Sequence, residues 1–184
     1  MGRRARIDRA RVVSGALALA DEEGLEALTM ARVAERLGVT PMALYRHVAG
    51  KAGLLDGVVE LLLTEFPPPP EALSWPERLN VLAGNIRASA HRHPAVFPLV
   101  LHLPANTPEA RRTRESVYRA LKDAGVTEAR VAQIERLVST AVLGFAVSEA
   151  AGRFRHHSRH ELDADFGAMQ ALLRRFIEQS AASN

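Results

Sequence analysis

Apolar residues recur at three- and four-residue intervals along almost the whole chain, which predicts amphipathic helices from end to end. Asp8 caps a first helix from about Arg9 to Glu22 that stops at Gly24, with Ala10, Val13, Leu17 and Ala20 on its inner face. Thr29 caps a second, short helix carrying Val33 and Leu37 at i, i+4. Gly38, free to turn left-handed, ends it; Val39 fills the corner, and Thr40-Pro41 starts a third helix as cap and first-turn proline. A fourth helix, Lys51 to Phe66, offers Leu54, Leu55, Val58, Leu61 and Leu62 to its neighbours, and the four prolines from Pro67 to Pro70 stop it. The capping-box spacing of Ser74 and Glu77 opens a helix that runs to His93-Pro94, and a short apolar helix spans Ala95 to Leu101 before Pro104. Thr107-Pro108-Glu109 begins another, to Ala124; Thr127 caps a long one, about Glu128 to Ala151, and Asp163 or Asp165 caps the last, to about Ser180. The expectation is an all-α chain of about nine helices: a three-helix unit in 1–50, a connecting helix in 51–66 and a second helical domain in 67–184.

In the third helix Leu44 and Val48 face inward, which leaves Pro41, Met42, Ala43, Tyr45, Arg46 and His47 outward, a mix suited to base edges and phosphates. Two short helices set across a tight turn can lay one helix in the major groove of DNA, although many all-α proteins use the same pair as scaffold. Charge placement favours the groove. Residues 1–51 hold nine Lys+Arg against six Asp+Glu, while the rest of the chain holds fifteen of each, so the formal net charge of +3 sits in the segment with the helix pair. Arg3, Arg4 and Arg6 precede the first helix and either follow a minor groove or are plainly solvated. The chain has no cysteine, which excludes disulfides and thiolate metal sites. Its continuous apolar runs fall short of the ~20 residues of a membrane helix, and its basic start continues as an amphipathic helix, unlike a signal peptide. A cytoplasmic protein is expected.

The run Ile7-Asp8, Ala16-Leu17-x-Leu19, Gly24-Leu25-Glu26-x-Leu28-Thr29, Ala34-x-x-Leu37-Gly38-Val39, Leu44-Tyr45-x-His47-Val48 and Lys51-x-x-Leu54-Leu55-Asp56 resembles the TetR family of bacterial transcriptional repressors, above all its tetracycline-repressor branch. The resemblance extends from Ile7 to about Leu63. It implies that Tyr45 and His47 lie at a DNA surface and that Lys51 holds a phosphate. Thr29, Arg32 and Thr40 complete the candidate DNA-binding set. Where that branch has a base-reading arginine one position before Arg32, this chain has Ala31; Pro41, Met42, Ala43 and Arg46 also differ, so no operator sequence is carried over.

Val131, Ile134, Val138, Ala141, Val142 and Phe145 line the long penultimate helix, and Phe166, Met169, Leu172, Leu173, Phe176 and Ile177 line the last. Such stripes exceed what one small domain covers and predict an isologous four-helix bundle between two copies, the homodimer that the resemblance also implies. The resemblance further implies a small effector in the second domain whose binding releases operator DNA. Leu62, Phe66, Ile86, Phe97, Leu101, Val117 and Leu121 are its candidate contacts, the apolar lining suits a hydrophobic or aromatic molecule, and the helix from Lys51 is the expected lever. No cofactor and no membrane partner are expected. His91, His93, His102, His156, His157 and His160 come without an HExxH, GxSxG or phosphate-loop pattern, so neither catalysis nor a metal is expected. Two alternatives stand beside the repressor: a DNA-binding regulator whose second domain only dimerises or holds a protein, and, remotely, a histidine-based metal-dependent enzyme.

Overall fold

The computed structural model describes residues 7–102 and 107–182, so the arginines of the N-terminal arm (Arg3, Arg4, Arg6) and Pro104 lie outside the described residues. Among these are nine α-helices and no strand: α1 (Arg9–Glu23), α2 (Met30–Leu37), α3 (Pro41–Leu44), α4 (Gly50–Leu63), α5 (Trp75–Arg92), α6 (Leu99–His102), α7 (Pro108–Asp123), α8 (Glu128–Ala150) and α9 (Arg159–Ala182). A single 3-10 turn, Leu25–Ala27, joins α1 to α2.

The chain divides into two compact units, a head of Met1–Leu62 with His93–Pro104 and a body of Leu63–Arg92 with Ala105–Asn184. This differs from the expected division at 50 and 66. Leu54, Val58 and Leu62 of α4 are fully buried in the head's apolar core together with Val12, Leu19, Leu28, Val33 and Leu44, so α4 is a member of the head and no mere connector. Val96 belongs to the same core, and the ring Nδ1 of His93 lies 2.8 Å from Asp21 Oδ2 on α1. The prolines still stop α4, but they lie within the body, where Pro67 and Pro68 line a shallow pocket with Glu109, Arg112 and Thr113 of α7.

In the body, α8 packs against α5 and α7. Its length and composition would let it cross a membrane, contrary to the expectation from apolar runs; instead its Val131, Ile134, Val138 and Val142 are buried inside the unit. A charge cluster fixes the start of α9. Arg87 Nε and Nη2 donate to the two carboxylate oxygens of Glu149 at 2.6 Å, Nη1 donates to Asp163 at 2.7 Å, and the guanidinium lies 4.7 Å above the Phe166 ring. Burial alone would raise the pKa of Glu149; hydrogen bonds and charge from Arg87, with His91 Nε2 at 3.2 Å, outweigh it and hold the carboxyl below its ordinary range. At the far end Arg130 Nη1 donates to the carbonyl of Ser180 at 2.7 Å.

The cap of α9 was expected five or seven residues further on, at Asp163 or Asp165. Ser158 and Glu161 form a capping box instead: the Ser158 N–H donates to Glu161 Oε2 at 2.7 Å, and the Glu161 N–H to Ser158 Oγ at 3.3 Å. At Ser74 one half of the expected box forms: the Ser74 N–H donates to Glu77 Oε2 at 2.8 Å, and the Ser74 hydroxyl donates to the same oxygen.

Candidate nucleic-acid interface

The helix pair is locked by its caps and by one close approach to α1. Thr29 Oγ1 accepts from the Arg32 N–H at 3.2 Å. Gly38 sits at φ 65°, ψ 36°, and the Val39 N–H returns to the Ala34 carbonyl at 3.0 Å, closing α2 in a left-handed turn. A Cβ on Gly15 of α1 would stand 2.9 Å from Leu37 Cδ2, so the absence of one lets α2 seat closely on α1. Thr40 departs from its expected role: no side-chain cap forms, its carbonyl accepts from the Ala43 N–H at 2.9 Å, and the hydroxyl is left uncommitted.

Leu44 and Val48 are buried, as inward-facing anchors must be, and they fix which way α3 and its following turn point. Pro41, Met42, Tyr45 and Arg46 are exposed, while Ala43 and His47 are half-buried. Met42 at 71% and Tyr45 at 53% are among the most exposed large apolar side chains described, a costly display on a solvated surface and a useful one against thymine methyls and sugar.

The cations around this surface sort into two groups. Arg32 donates to both carboxylate oxygens of Glu23 at 2.7 and 2.6 Å, and Arg36 binds Glu22 through two bonds at 2.7 and 2.5 Å. The Arg36 bond holds Glu22 below the ordinary carboxylate range against a smaller opposing effect of burial, so the pair stays ionised. Arg32, half-exposed, is thus paired with Glu23 in the structure, and Thr29 serves as a cap. Arg9 is paired with Glu60 at 2.6 Å. Arg11, Arg46 and Lys51 have no carboxylate partner among the described residues of the head. Lys51 lies in the first turn of α4, where no acidic residue balances the helix dipole, so ammonium and helix terminus attract the same anion. Arg11 was not among the expected contacts; an unpaired arginine shows itself only once the pairing of its neighbours is known.

The body holds a second candidate site. A half-open cavity with an interior of about 50 Å³ is lined from α5 by Trp75, Pro76, Leu79, Asn80, Leu82, Ala83 and Ile86, from α7 by Val117, from α8 by Val138, Ser139 and Val142, and from α9 by Gln170, Leu173, Arg174 and Ile177. Of the expected effector contacts, Ile86 and Val117 line it. Leu62 and Phe97 are buried in the head, Phe66 and Leu121 are buried in the body, and Leu101 is exposed, so none of these five reaches the cavity. The missed wall residues carry a legible signal in Trp75, Leu79 and Ala83 at four-residue steps.

The expected dimer face is also redistributed. Val131, Ile134, Val138 and Val142 are buried within their own chain because α5 and α7 already cover that side of α8, and Phe166 and Ile177 of α9 are buried there too, so all six are core. Ala141, Phe145, Met169, Leu173 and Phe176 are half-buried, and Leu172 is exposed. Leu137, absent from the expectation, joins it on the surface. His156, His157 and His160 are exposed, and among the described residues no three His, Asp or Glu side chains come together as a metal-ligand group.

The profile described as bacterial regulatory proteins, tetR family, matches residues 12–58, and the profile of the tetracyclin repressor-like C-terminal domain matches 67–178. The second match corrects the expectation that the resemblance ends near Leu63. The chain is 32% identical to the HTH-type transcriptional repressor DrrR1 of Streptomyces coeruleorubidus over 87% of its own length, and spans 60% of that relative. Two solved structures share its fold along nearly their whole length. BioQ with its natural double-stranded DNA operator is 29% identical with a TM-score of 0.79, covering 94% of this chain and 99% of that one. A TetR variant from Acinetobacter baumannii AYE in complex with minocycline is 28% identical with a TM-score of 0.82, covering 95% and 98%.

Proposed function

The chain belongs to the tetR family of bacterial regulatory proteins, and from that premise we propose that it is a transcriptional repressor that binds a palindromic operator as a homodimer and is released by a small molecule held in the body. The observation that carries the DNA-binding part is the exposed set of Met42 on α3 and Tyr45 and Arg46 in the turn that follows it, held outward by fully buried Leu44. Met42 and Ala43 suit thymine methyls, Tyr45 and Arg46 read base edges, and Thr40 and Lys51 hold phosphates. The likeness to BioQ, solved with its operator, supports this reading.

Homodimerisation rests on α9. A helix of 24 residues with only Phe166, Ile177 and Ser180 buried leaves Leu172 exposed and Met169, Leu173 and Phe176 only half-covered, and tertiary packing is the main support of helices in proteins. A second copy on Leu172 of α9 and Leu137 of α8 completes a four-helix bundle and presents two heads to two half-sites. The cavity in the body favours a small molecule over a protein as the occupant, as does the likeness to a regulator solved with minocycline. Release requires that the ligand bind the DNA-incompetent conformation more tightly. The repressor acts in the cytoplasm, at the nucleoid.

Selection of bound duplexes from a random pool tests the reading. A palindromic consensus with half-sites about one helical turn apart is expected; a consensus without symmetry would refute the dimer, and no enrichment at all would refute DNA recognition.

A further inference from the structure

The body cavity is amphipathic in a directional way. Its inner wall is buried hydrocarbon from Leu82, Ile86, Val117 and Val142; Asn80 of α5 and Gln170 and Arg174 of α9 supply most of its polar groups, and Ser139 of α8, whose hydroxyl donates to Glu135, supplies another. Gln170 and Arg174 stand one turn apart on α9, and Gln170 Nε2 donates to the Asn80 carbonyl of α5 at 3.4 Å. Arg174 is the one charged residue in the lining, which includes neither aspartate nor glutamate. Its Nε donates to Glu178 Oε1 at 2.8 Å, and Glu178 lies outside the lining. The two Nη groups of the guanidinium fork make no bond to the described residues and remain free to donate.

Building on the effector reading above, we propose that this cavity takes an amphipathic organic acid, its aromatic or aliphatic body against the α5–α7–α8 wall and its carboxylate on the Nη fork of Arg174. The chemistry discriminates in three steps. A carboxylate accepts two parallel N–H bonds from a guanidinium, and charge-assisted bonds are about twice as strong as neutral ones. A neutral amide keeps the apolar contacts but loses that pairing. An amine sets like charge against Arg174 with no lining carboxylate to receive it, so it is the poorest occupant. Glu178 is the built-in competitor: it already holds Nε, and its charge lowers the attraction of the guanidinium for a second anion.

Titration calorimetry on the full chain tests this, with naphthalene-2-carboxylate, its carboxamide and the corresponding methylamine, and with decanoate and decanamide. At least one acid is expected to bind about tenfold more tightly than its amide, with the amine weakest. Arg174→Gln should erase the advantage of the acid and leave the amide unchanged, while Glu178→Gln should raise acid affinity about threefold without helping the amide. Both positions are exposed, so the variants keep the fold, which a melting curve verifies. Equal binding of acid and amide, preference for the amine, no binding of either acid, or an acid preference that survives Arg174→Gln would each overturn the inference. A gel shift with the selected operator separates it from the effector reading. Acids that bind through Arg174 but leave the duplex bound would uphold the inference and refute that reading; amides that release DNA as well as acids do would have the opposite result.

Discussion

The head and the last helix of the body treat their apolar surface in opposite ways. In the head, Val12, Leu28, Val33, Leu44, Leu54 and Leu62 are sealed from solvent, and Arg9, Arg32 and Arg36 are paired within the unit. What it leaves unmatched is polar or points outward: Arg46, Lys51, and the side chains of Met42 and Tyr45. The last helix, longer than any in the head, leaves hydrocarbon unmatched instead, with Leu172 exposed and Phe176 half-covered. Unmatched charge beside a rigid helix calls for a polyanion, and unmatched apolar stripe calls for a copy of itself. The two kinds of deficit are what support the two kinds of partner proposed above.

The strongest way to break the contrast is to make α9 resemble the head's outer surface. Leu137→Glu with Leu172→Glu places four carboxylates in the proposed bundle seam of a dimer. The variant is expected to sediment as a monomer and to lose about a thousandfold in operator affinity, since linkage of two heads contributes about 10² to 10⁴. Its melting temperature should fall and lose its dependence on protein concentration, because the partner subunit no longer stabilises the folded chain by mass action. A dimer that survives both substitutions would move the interface elsewhere.

Next in size is the charge cluster that holds α9 to the body. Arg87→Ala strips Glu149 of its bidentate partner while leaving the carboxylate buried, a loss of about 3 kcal/mol in chemical denaturation near pH 7. The pH dependence follows from the lowered pKa of Glu149. Its stabilisation is fully present above the ordinary, unfolded-state value of 4.5 and is lost as pH falls through the lower folded value. Acidification to about pH 3.5 should therefore cost the parent more stability than the Arg87→Ala variant, and the two should converge. A constant gap across that range would assign the cost of the substitution to lost packing on Phe166.

What could be read in the chain beforehand divides along the same line. Local signals carried through: Asp8 and Thr29 cap their helices, Gly38 takes the left-handed turn, and Leu44 points inward, because each is decided within a few residues. Partnership between distant residues did not. The pairing of Arg32 with Glu23 had no local sign, and Val131 or Ile134 looked like dimer face until α5 and α7 covered them. Periodicity identifies which side of a helix is apolar and says nothing about whose atoms cover it. The cavity was illegible for the same reason, since its walls converge from α5, α7, α8 and α9.

A smaller test bears on how tightly the head is finished. Gly57 of α4 faces Val13 of α1, and a Cβ there would stand 2.6 Å from Val13 Cγ2. Ala in place of Gly improves helix propensity by about 1 kcal/mol, while overpacking a core costs about 1 to 3 kcal/mol. The short, branched valine has little room to yield, so Gly57→Ala should destabilise the head by about 1 kcal/mol net, read from a denaturation curve. A stabilised variant would show that α1 and α4 can separate at little cost, and the head would then be less complete than its burial suggests.

The smallest effect separates binding from stability at one residue. Lys51 carries a positive charge in the first turn of α4, where the helix dipole disfavours it by about 0.3 to 1 kcal/mol, and no carboxylate among the described residues compensates. Replacement by Ala should therefore raise stability by about a few tenths of a kcal/mol. If the lysine holds a phosphate, the same change weakens operator and random DNA alike and lowers the slope of log affinity against log salt by about one per head. Arg46→Ala should instead alter sequence preference, because in the proposed complex its side chain reads the bases. A Lys51→Ala protein that is more stable yet keeps its full salt slope would leave the unpaired charge without a function and remove the electrostatic half of the contrast between head and body.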